Sequence, residues 1–222
     1  MINLNIHIEV NPELYSKNPI SSELGQHILS KSIELIDQIG FEAFTFKKLG
    51  KQINSPESSI YRYFKNKHVL LVYLTSWYWS YIEYQLVFAI TNVESPKERL
   101  LKSIKVLTQP VLENNQIPYI NERILSKIII SESVKLYHTK SVDEENRSGF
   151  FGAYKSVVKR VSAIILELKP NFEYPNMLVS TIIEGALHQK YFSEHLPSLT
   201  NANNQNNAIE KFYTQMALNF IK

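Results

Sequence analysis

The chain has 222 residues, of which 44% are hydrophobic, so a buried core is expected and wholesale disorder is excluded. It contains no cysteine, which excludes disulfides, thiolate nucleophiles and cysteine-based metal sites and fits a reducing cytoplasm. The net charge of +3 favours no particular class of partner by itself.

The N-terminal part of the sequence predicts an arm followed by a helix. Residues 1–20 contain two prolines and only weak alternation, as in an arm or a poorly ordered lead. After it, Leu29, Ile33 and Ile36 recur at the three- and four-residue spacing of an α-helix. Gly40 is expected to end this helix in a left-handed conformation.

Two short helices joined by a tight turn follow. Thr45 suits the N-cap of the first, and Asn54 is able to end it in the left-handed conformation. Ser55 is then expected as the N-cap of the second, with Pro56 at its first position, where no backbone N–H is needed. The second helix spans roughly 56–63, and a connection of about three residues is typical of a helix-turn-helix.

Positive charge is concentrated in this region. Residues 45–67 carry six basic side chains and one acidic one, a net charge of +5, so the whole excess of the chain falls in one short window. Such a cluster indicates a surface that contacts a polyanion. The basic residues are Lys47, Lys48, Lys51, Arg62, Lys65 and Lys67, and the acidic one is Glu57.

The rest of the sequence predicts helices only. Residues 70–90 have the length of a membrane span, but polar residues recur throughout, so a long helix in a soluble core is the better interpretation and no membrane partner is expected. Prolines separate further candidate helices, among them 118–137 and 144–168. The predicted fold class is all-α, with about nine helices.

Residues 28–71 resemble the DNA-binding domain of TetR-family transcriptional repressors. Asn54-Ser55-Pro56 stands where that family often has Gly-Val-Ser, and asparagine is able to replace glycine in such a turn. The features that carry the resemblance are Gly40-Phe41, Thr45, Leu49-Gly50, Ile60-Tyr61-x-Tyr63-Phe64, and Lys67 followed by Leu70 and Leu71.

The resemblance implies a homodimer that releases operator DNA when it binds a small molecule. It implies an arm over 1–20, a helix-turn-helix domain over 21–66 and a helical effector-binding and dimerisation domain over 67–222. Two-fold symmetry would make the operator a near-palindrome.

The predicted DNA site lies on and around the second short helix. Ile60 and Phe64 anchor that helix, which leaves its other side chains for DNA. Arg62 is suited to a guanine or to a phosphate, and sequence alone leaves both open. The predicted DNA-binding residues are Thr45, Lys47, Lys48, Ser55, Glu57, Ser58, Ser59, Tyr61, Arg62, Tyr63, Lys65 and Lys67.

An aromatic stripe in the following helix suggests a pocket for an apolar or aromatic effector. Such a stripe is also common in a plain core, and both interpretations stay open. The predicted ligand-binding residues are Trp77, Tyr81, Tyr84, Gln85, Phe88, Glu122, His138, Glu184 and His188.

The last two predicted helices carry apolar rows that fit either a four-helix dimer interface or an intramolecular core. The predicted interface residues are Val179, Ile182, Ile183, Ala186, Ile209, Phe212, Met216 and Phe220.

Nothing in the sequence favours catalysis. It has no HExxH, no Gly-rich phosphate loop and no GxSxG, so we expect no catalytic residues, no metal site and no cofactor. The leading hypothesis is a cytoplasmic DNA-binding repressor. The alternatives are a helical small-molecule-binding or interaction protein that no longer reads DNA and, third, an all-α enzyme.

Overall fold

The computed structural model describes residues 8–112, 117–203 and 207–221. All regular structure in these residues is helical, so the predicted all-α class is confirmed. Three short 3-10 helices span Pro12–Leu14, Pro19–Ser21 and Pro197–Leu199. The α-helices are α1 Glu23–Ala43, α2 Phe46–Gln52, α3 Glu57–Tyr61, α4 Lys67–Ile90, α5 Pro96–Thr108, α6 Glu122–Glu132, α7 Val134–Tyr137, α8 Val142–Arg147, α9 Gly152–Leu168, α10 Pro175–His195 and α11 Ala208–Phe220.

The described residues form eleven α-helices instead of nine because two predicted helices are broken. The helix predicted over 118–137 becomes α6 and α7, which meet at Ser133. The helix predicted over 144–168 becomes α8 and α9, because Gly149 adopts φ 77° and ends α8. Gly149 was the visible signal for this break, since a glycine with positive φ commonly follows a helix.

The helices cluster into two compact units. The first comprises Met1–Ser80 and Val111–Gly152, and the second comprises Tyr81–Pro110 and Ala153–Lys222, as far as these ranges are described. The boundary therefore falls inside α4. The division into 1–20, 21–66 and 67–222 stays a prediction.

In the first unit, α1 begins and ends as its sequence indicates. The Ser22 hydroxyl accepts a hydrogen bond from the Gly25 amide and caps the helix. The predicted row Leu29, Ile33 and Ile36 is buried at 0–2% exposure. Gly40 adopts φ 76° at a break in the helix, as expected, although one more helical turn follows it up to Ala43.

The arm is folded onto the first unit over residues 8–20, so the expectation of a poorly ordered lead is wrong there. Leu14 is fully buried. The Ser16 amide donates to the Tyr63 carbonyl at 2.9 Å, and the Asn11 side-chain amide donates to the Ser148 carbonyl at 2.9 Å. Residues 1–7 lie outside the described part.

The aromatic helix α4 does not present a single stripe. Residues 70–79 are buried around the whole circumference of the helix, as in a helix at the centre of a core. In the second unit, Tyr81 is 1% exposed, whereas Tyr84 and Phe88 are 41% and 78% exposed. The predicted row is therefore core at its start and surface at its end.

In the second unit, α5, α10 and α11 pack around a core that includes Ile104 and Ile182, and the Tyr154 hydroxyl of α9 donates to Glu184 of α10. Gly185 allows α10 and α11 to approach closely, because a β-carbon there would stand 2.0 Å from the Tyr213 hydroxyl oxygen. Across the described residues, no helix is long and apolar enough to cross a membrane.

Candidate nucleic-acid interface

The turn between α2 and α3 closes with two backbone hydrogen bonds. Asn54 adopts φ 50°, the left-handed conformation that its side chain tolerates, so this prediction is confirmed. The Ser55 amide donates to the Gly50 carbonyl at 2.9 Å, and the Asn54 amide donates to the Lys51 carbonyl at 3.5 Å. This pairing is a Schellman motif, which satisfies the last carbonyls of α2 and fixes the direction of the chain that follows.

The predicted start of α3 is wrong by one residue. Ser55 does not cap the helix: Pro56 occupies the N-cap position, without a side-chain hydrogen bond, and the Ser55 amide contributes to the end of α2. The regular helix is only Glu57–Tyr61. Beyond it, the Tyr63 and Phe64 amides donate to the Ile60 carbonyl, so the backbone makes one further helical turn after the regular helix.

Three side chains, instead of the two predicted, anchor this helix. Ile60 and Phe64 are fully buried, as predicted, and Tyr63 is only 2% exposed. The Tyr63 hydroxyl shares a hydrogen bond of 2.8 Å with the Ser22 hydroxyl. Burial raises the pKa of the Tyr63 phenol, but the Ser22 hydrogen bond and the Lys17 ammonium outweigh it and leave the pKa below its ordinary value. A phosphate contact by Tyr63 stays a prediction.

The remaining side chains of α3 form an accessible surface. Ser58 and Arg62 are exposed, and Glu57 and Ser59 are partly exposed. Tyr61 is 50% exposed; its ring packs edge-on against Phe46 with centroids 5.1 Å apart, and its hydroxyl lies 3.4 Å from a Glu57 carboxylate oxygen. This surface therefore combines small side chains, one guanidinium and one phenol, which suits close approach to base edges.

An open cleft of about 520 Å³ lies between α2 and α3. Four of its residues, Gly50, Lys51, Asn54 and Pro56, were not among the predicted DNA contacts. Lys51 belongs to the basic cluster of residues 45–67, so the charge pattern already indicated it as a DNA contact. The cleft is lined by Lys47, Gly50, Lys51, Asn54, Ser55, Pro56 and Glu57.

Most of the predicted phosphate contacts are on the surface. Lys47, Lys48 and Lys65 are exposed, and the Lys48 ammonium donates one hydrogen bond, to the Ala43 carbonyl at 2.8 Å. Thr45 is the N-cap of α2, as predicted: its hydroxyl accepts from the Lys48 amide at 3.2 Å. The Thr45 hydroxyl proton remains available for a further acceptor.

Lys67 has a different environment. Its ammonium donates to the carbonyls of Phe41, Glu42 and Phe44 at 3.0, 3.0 and 3.2 Å. It also lies 4.8 Å from the centroid of the Phe41 ring. An ammonium has three donors, and all three are engaged here. Lys67 therefore ties the start of α4 to the end of α1, and a direct phosphate contact by it stays a prediction.

Residues 28–74 match the family model of bacterial regulatory proteins, tetR family. The chain carries a TetR-family DNA-binding domain. The match covers α2, α3 and the turn between them, together with most of α1 and the start of α4.

The fold of the chain is similar to solved structures at low sequence identity. The superantigen PfiT is 16% identical over 91% of this chain and 97% of its own, with a TM-score of 0.58. AibR in complex with isovaleryl coenzyme A and operator DNA is 14% identical over 86% and 97%, with a TM-score of 0.55. The ketosteroid transcriptional regulator KstR2 of Mycobacterium tuberculosis is 10% identical over 97% and 96%, with a TM-score of 0.51. No curated protein sequence matches the chain significantly.

The predicted ligand-binding residues lie C-terminal to the TetR-type domain, and none of them lines the cleft between α2 and α3. Trp77, Glu122 and His138 belong to the first unit, and the other six belong to the second. Glu122 is 1% exposed, whereas His138 is exposed. In α10, the Glu184 carboxylate accepts from the Tyr154 hydroxyl at 2.7 Å, and the His188 ring hydrogen-bonds to the Glu184 carbonyl at 2.8 Å.

The predicted interface residues divide into two groups. Val179, Ile182, Ile183 and Ala186 of α10 are 0–2% exposed, so these four side chains pack inside the second unit and are not available to another chain. In α11, Ile209 and Met216 are partly exposed, and Phe212 and Phe220 are 61% and 58% exposed. The apolar surface on α10 belongs to other residues, chiefly Met177, which is 66% exposed, and Tyr191.

Proposed function

We propose that this protein is a transcriptional repressor that binds a near-palindromic operator as a homodimer and is released by a small apolar or aromatic ligand. The observation that carries the proposal is the α2–α3 pair, in which a Schellman turn at Asn54 presents a short helix with an exposed Arg62. The charge of the surrounding window, +5 over residues 45–67, favours a nucleic acid as the partner.

Sequence would be read by the surface of α3. Ser58 and Ser59 are small enough to let the helix approach the floor of the major groove, and Arg62 is the longest donor on that surface. A guanidinium is able to bind guanine O6 and N7 with two parallel hydrogen bonds, which is the commonest specific contact in the major groove. We therefore place Arg62 in the base-reading role.

Phosphates would be held by residues on either side of this helix. Lys47, Lys48 and Lys51 lie on α2, and Lys65 follows α3. Their exposed ammonium groups displace condensed counterions from DNA when they bind, so affinity falls steeply with salt. Tyr61 is suited to add a phosphate hydrogen bond through its exposed hydroxyl.

Dimerisation would use the exposed apolar surfaces of α10 and α11. Phe212 and Phe220 lie eight residues apart on α11, slightly more than two helical turns, and so lie on the same side of the helix. Met177 and Tyr191 supply apolar surface on α10. A two-fold axis through such a surface would place two α3 helices on half-sites one or more helical turns apart.

Ligand release follows thermodynamically if the ligand-bound and DNA-bound geometries differ. Each ligand must then weaken the binding of the other by the same factor. The solved complex of AibR, whose fold is similar, contains both isovaleryl coenzyme A and operator DNA. For this chain we propose that the apolar ligand acts through α4, since α4 follows the DNA-binding helices directly.

One observation favours the alternative, a helical binding protein that does not read DNA. The similarity of this fold to the superantigen PfiT, at a TM-score of 0.58, means that the fold alone does not establish the function. The features of α2 and α3 therefore have to carry the DNA-binding proposal.

Selection of genomic fragments by the purified chain tests the proposal. A repressor should enrich a small set of fragments that share a near-palindromic sequence, and Arg62→Ala should lose that enrichment. Asp143→Asn, which changes an exposed carboxylate on α8, is the matched control and should enrich the same fragments. Recovery without any shared sequence would contradict the proposal and support the alternative.

A further inference from the structure

A second cleft, of about 440 Å³, lies within the first compact unit. Its walls come from three parts of the chain: residues 13–16 of the arm, 65–69 at the start of α4, and 141–150 around α8. None of the nine predicted effector residues lines it. It is therefore distinct from the effector site predicted from the sequence, and its volume lies within the range of small-molecule sites.

Hydrogen bonds to backbone carbonyls hold the walls in place. The arm is fixed at one end by the Ser16 amide on the Tyr63 carbonyl and at the other by the Asn11 side chain on the Ser148 carbonyl, both at 2.9 Å. α8 ends in a Schellman motif at Gly149, in which the Phe150 amide donates to the Glu145 carbonyl at 3.1 Å. These hydrogen bonds fix the positions of the arm and of the end of α8, which form two of the walls of the cleft.

Glu145 is the unusual residue of this cleft. It is 9% exposed, and its Oε1 atom hydrogen-bonds with His68 Nε2 at 2.7 Å and accepts from the Ser141 hydroxyl at 3.0 Å. Its second oxygen, Oε2, is buried and has no hydrogen-bond partner among the described residues. A buried carboxylate oxygen without a donor is costly, so a small rotation of the Glu145 carboxylate that brings Oε2 within reach of a ligand donor is favourable.

The other lining residues define the kind of ligand. Glu13 and Glu144 add two carboxylates, against one lysine, Lys65, and a histidine, His68, that is already paired with Glu145, so the cleft disfavours an anion. Tyr15 and Phe150 add aromatic surface, which attracts organic cations. No group of three or more acidic or histidine side chains in the described ranges is placed to hold a metal ion.

We infer that this cleft binds a small organic cation, an amine that carries an apolar or aromatic group and donates a hydrogen bond to Glu145 Oε2. The ammonium lies among the carboxylates and the apolar group lies against Tyr15 and Phe150. The inference does not require DNA binding, so it stands or fails separately from the proposed function.

Calorimetric titration of the full chain with 2-phenylethylamine tests the inference, with 2-phenylethanol as the neutral probe of matched shape. We expect the amine to bind at millimolar or lower concentration and at least tenfold more tightly than the alcohol. Glu145→Gln, which keeps the shape of the side chain and removes its charge, should weaken the amine at least tenfold. Asp143→Asn, an exposed carboxylate on the same helix that does not line the cleft, should leave binding unchanged.

A second measurement keeps the test independent of how well Glu145→Gln folds. In the unsubstituted protein, intermolecular NOEs should connect the aromatic protons of 2-phenylethylamine with Phe150 and Tyr15. Equal binding of amine and alcohol, unchanged binding by a folded Glu145→Gln, no binding at all, or NOEs only to side chains outside the cleft would each overturn the inference.

Discussion

Gly50 lies directly against the backbone of Ser55. A β-carbon on Gly50 would stand 2.7 Å from the Ser55 carbonyl oxygen and 3.4 Å from the Glu57 amide nitrogen. Atoms of the backbone cannot rotate away as the end of a flexible side chain does. The distance between α2 and the start of α3 is therefore set by the absence of a side chain at this position.

Gly50→Ala should separate α2 from α3. The added methyl group forces the backbone of the turn to move, and we expect a loss of about 1–3 kcal/mol in the free energy of unfolding, as for other overpacked sites. Specific DNA affinity should fall more than tenfold, because α3 is displaced relative to the phosphate-binding lysines. Urea unfolding and fluorescence anisotropy with a selected DNA fragment measure the two effects.

Gly152→Ala is the matched control for this substitution. A β-carbon on Gly152, the first residue of α9, would meet no atom within 4 Å. We expect stability within about 0.5 kcal/mol of the parent, or somewhat higher, and unchanged DNA affinity. If Gly50→Ala behaved like Gly152→Ala, the close approach of α2 and α3 would not matter for DNA binding.

Lys65 and Lys67, only two residues apart, should affect different properties when changed to methionine. Lys67→Met removes three hydrogen bonds to the end of α1 and should lower the free energy of unfolding by about 1–3 kcal/mol. Lys65→Met should leave stability within about 0.5 kcal/mol, since Lys65 is exposed. It should instead lower the salt slope of DNA binding by about 1, the effect of one lost phosphate contact.

Each of these two variants is the control for the other. Chemical unfolding gives the first quantity, and titrations at several salt concentrations give the second. The assignment of the two roles would be incorrect if Lys67→Met left the free energy of unfolding at the parent's value. It would also be incorrect if Lys65→Met left the salt slope of DNA binding unchanged.

Phe212→Glu should convert a dimer into a monomer. Phe212 is 61% exposed on α11, so a carboxylate there is tolerated by the single chain but would be buried against another chain. Analytical ultracentrifugation measures the outcome. Phe88→Glu, which changes an exposed phenylalanine of the second unit outside α10 and α11, is the control and should remain dimeric. Dissociation by Phe88→Glu and not by Phe212→Glu would place the interface elsewhere.

Lys190 should make the stability of the protein depend on pH above neutrality. Its ammonium donates to the Gln109 carbonyl at 2.9 Å, and burial lowers its pKa from 10.5 to about 8. Between these values the unfolded chain holds the proton and the folded chain does not, so stability rises as pH rises. The difference in unfolding free energy between the parent and Lys190→Met should therefore change steadily from pH 7.5 to 9.5.

A control lysine separates this effect from the other titrations. Lys211→Met removes an exposed lysine of the second unit and should give a difference that stays constant over the same range. Tyr73 and Tyr78 have raised pKa values because of burial, and they lower stability only as the pH approaches and passes 10. A flat difference for Lys190→Met would contradict a desolvated ammonium.

The local chemistry of the turn was largely predictable from sequence. Gly40, Thr45 and Asn54 behave as their residue types indicate, because each acts through its own backbone or its nearest amides. Ser55 does not, because the N-cap of α3 falls one residue later, at Pro56. The preference of serine for N-cap positions did not locate the start of this helix to within one residue.

Tertiary contacts were less predictable. The anchoring of Tyr63 depends on Ser22, 41 residues earlier, and the role of Lys67 depends on carbonyls at the end of α1. The second cleft joins the arm, the start of α4 and α8, and no short motif marks such a meeting of distant segments. In α10, an apolar row was visible, but its periodicity did not tell an internal core from an interface.

The salt dependence of binding to one selected DNA fragment tests the central claim most directly. For the unsubstituted chain, the logarithm of the association constant should fall linearly with the logarithm of salt concentration, with a slope of about −0.9 for each phosphate neutralised. At physiological salt the fragment should bind at least about 10³-fold more tightly than a scrambled sequence. Equal affinity for the two sequences, or binding that does not respond to salt, would contradict the claim that this protein reads DNA.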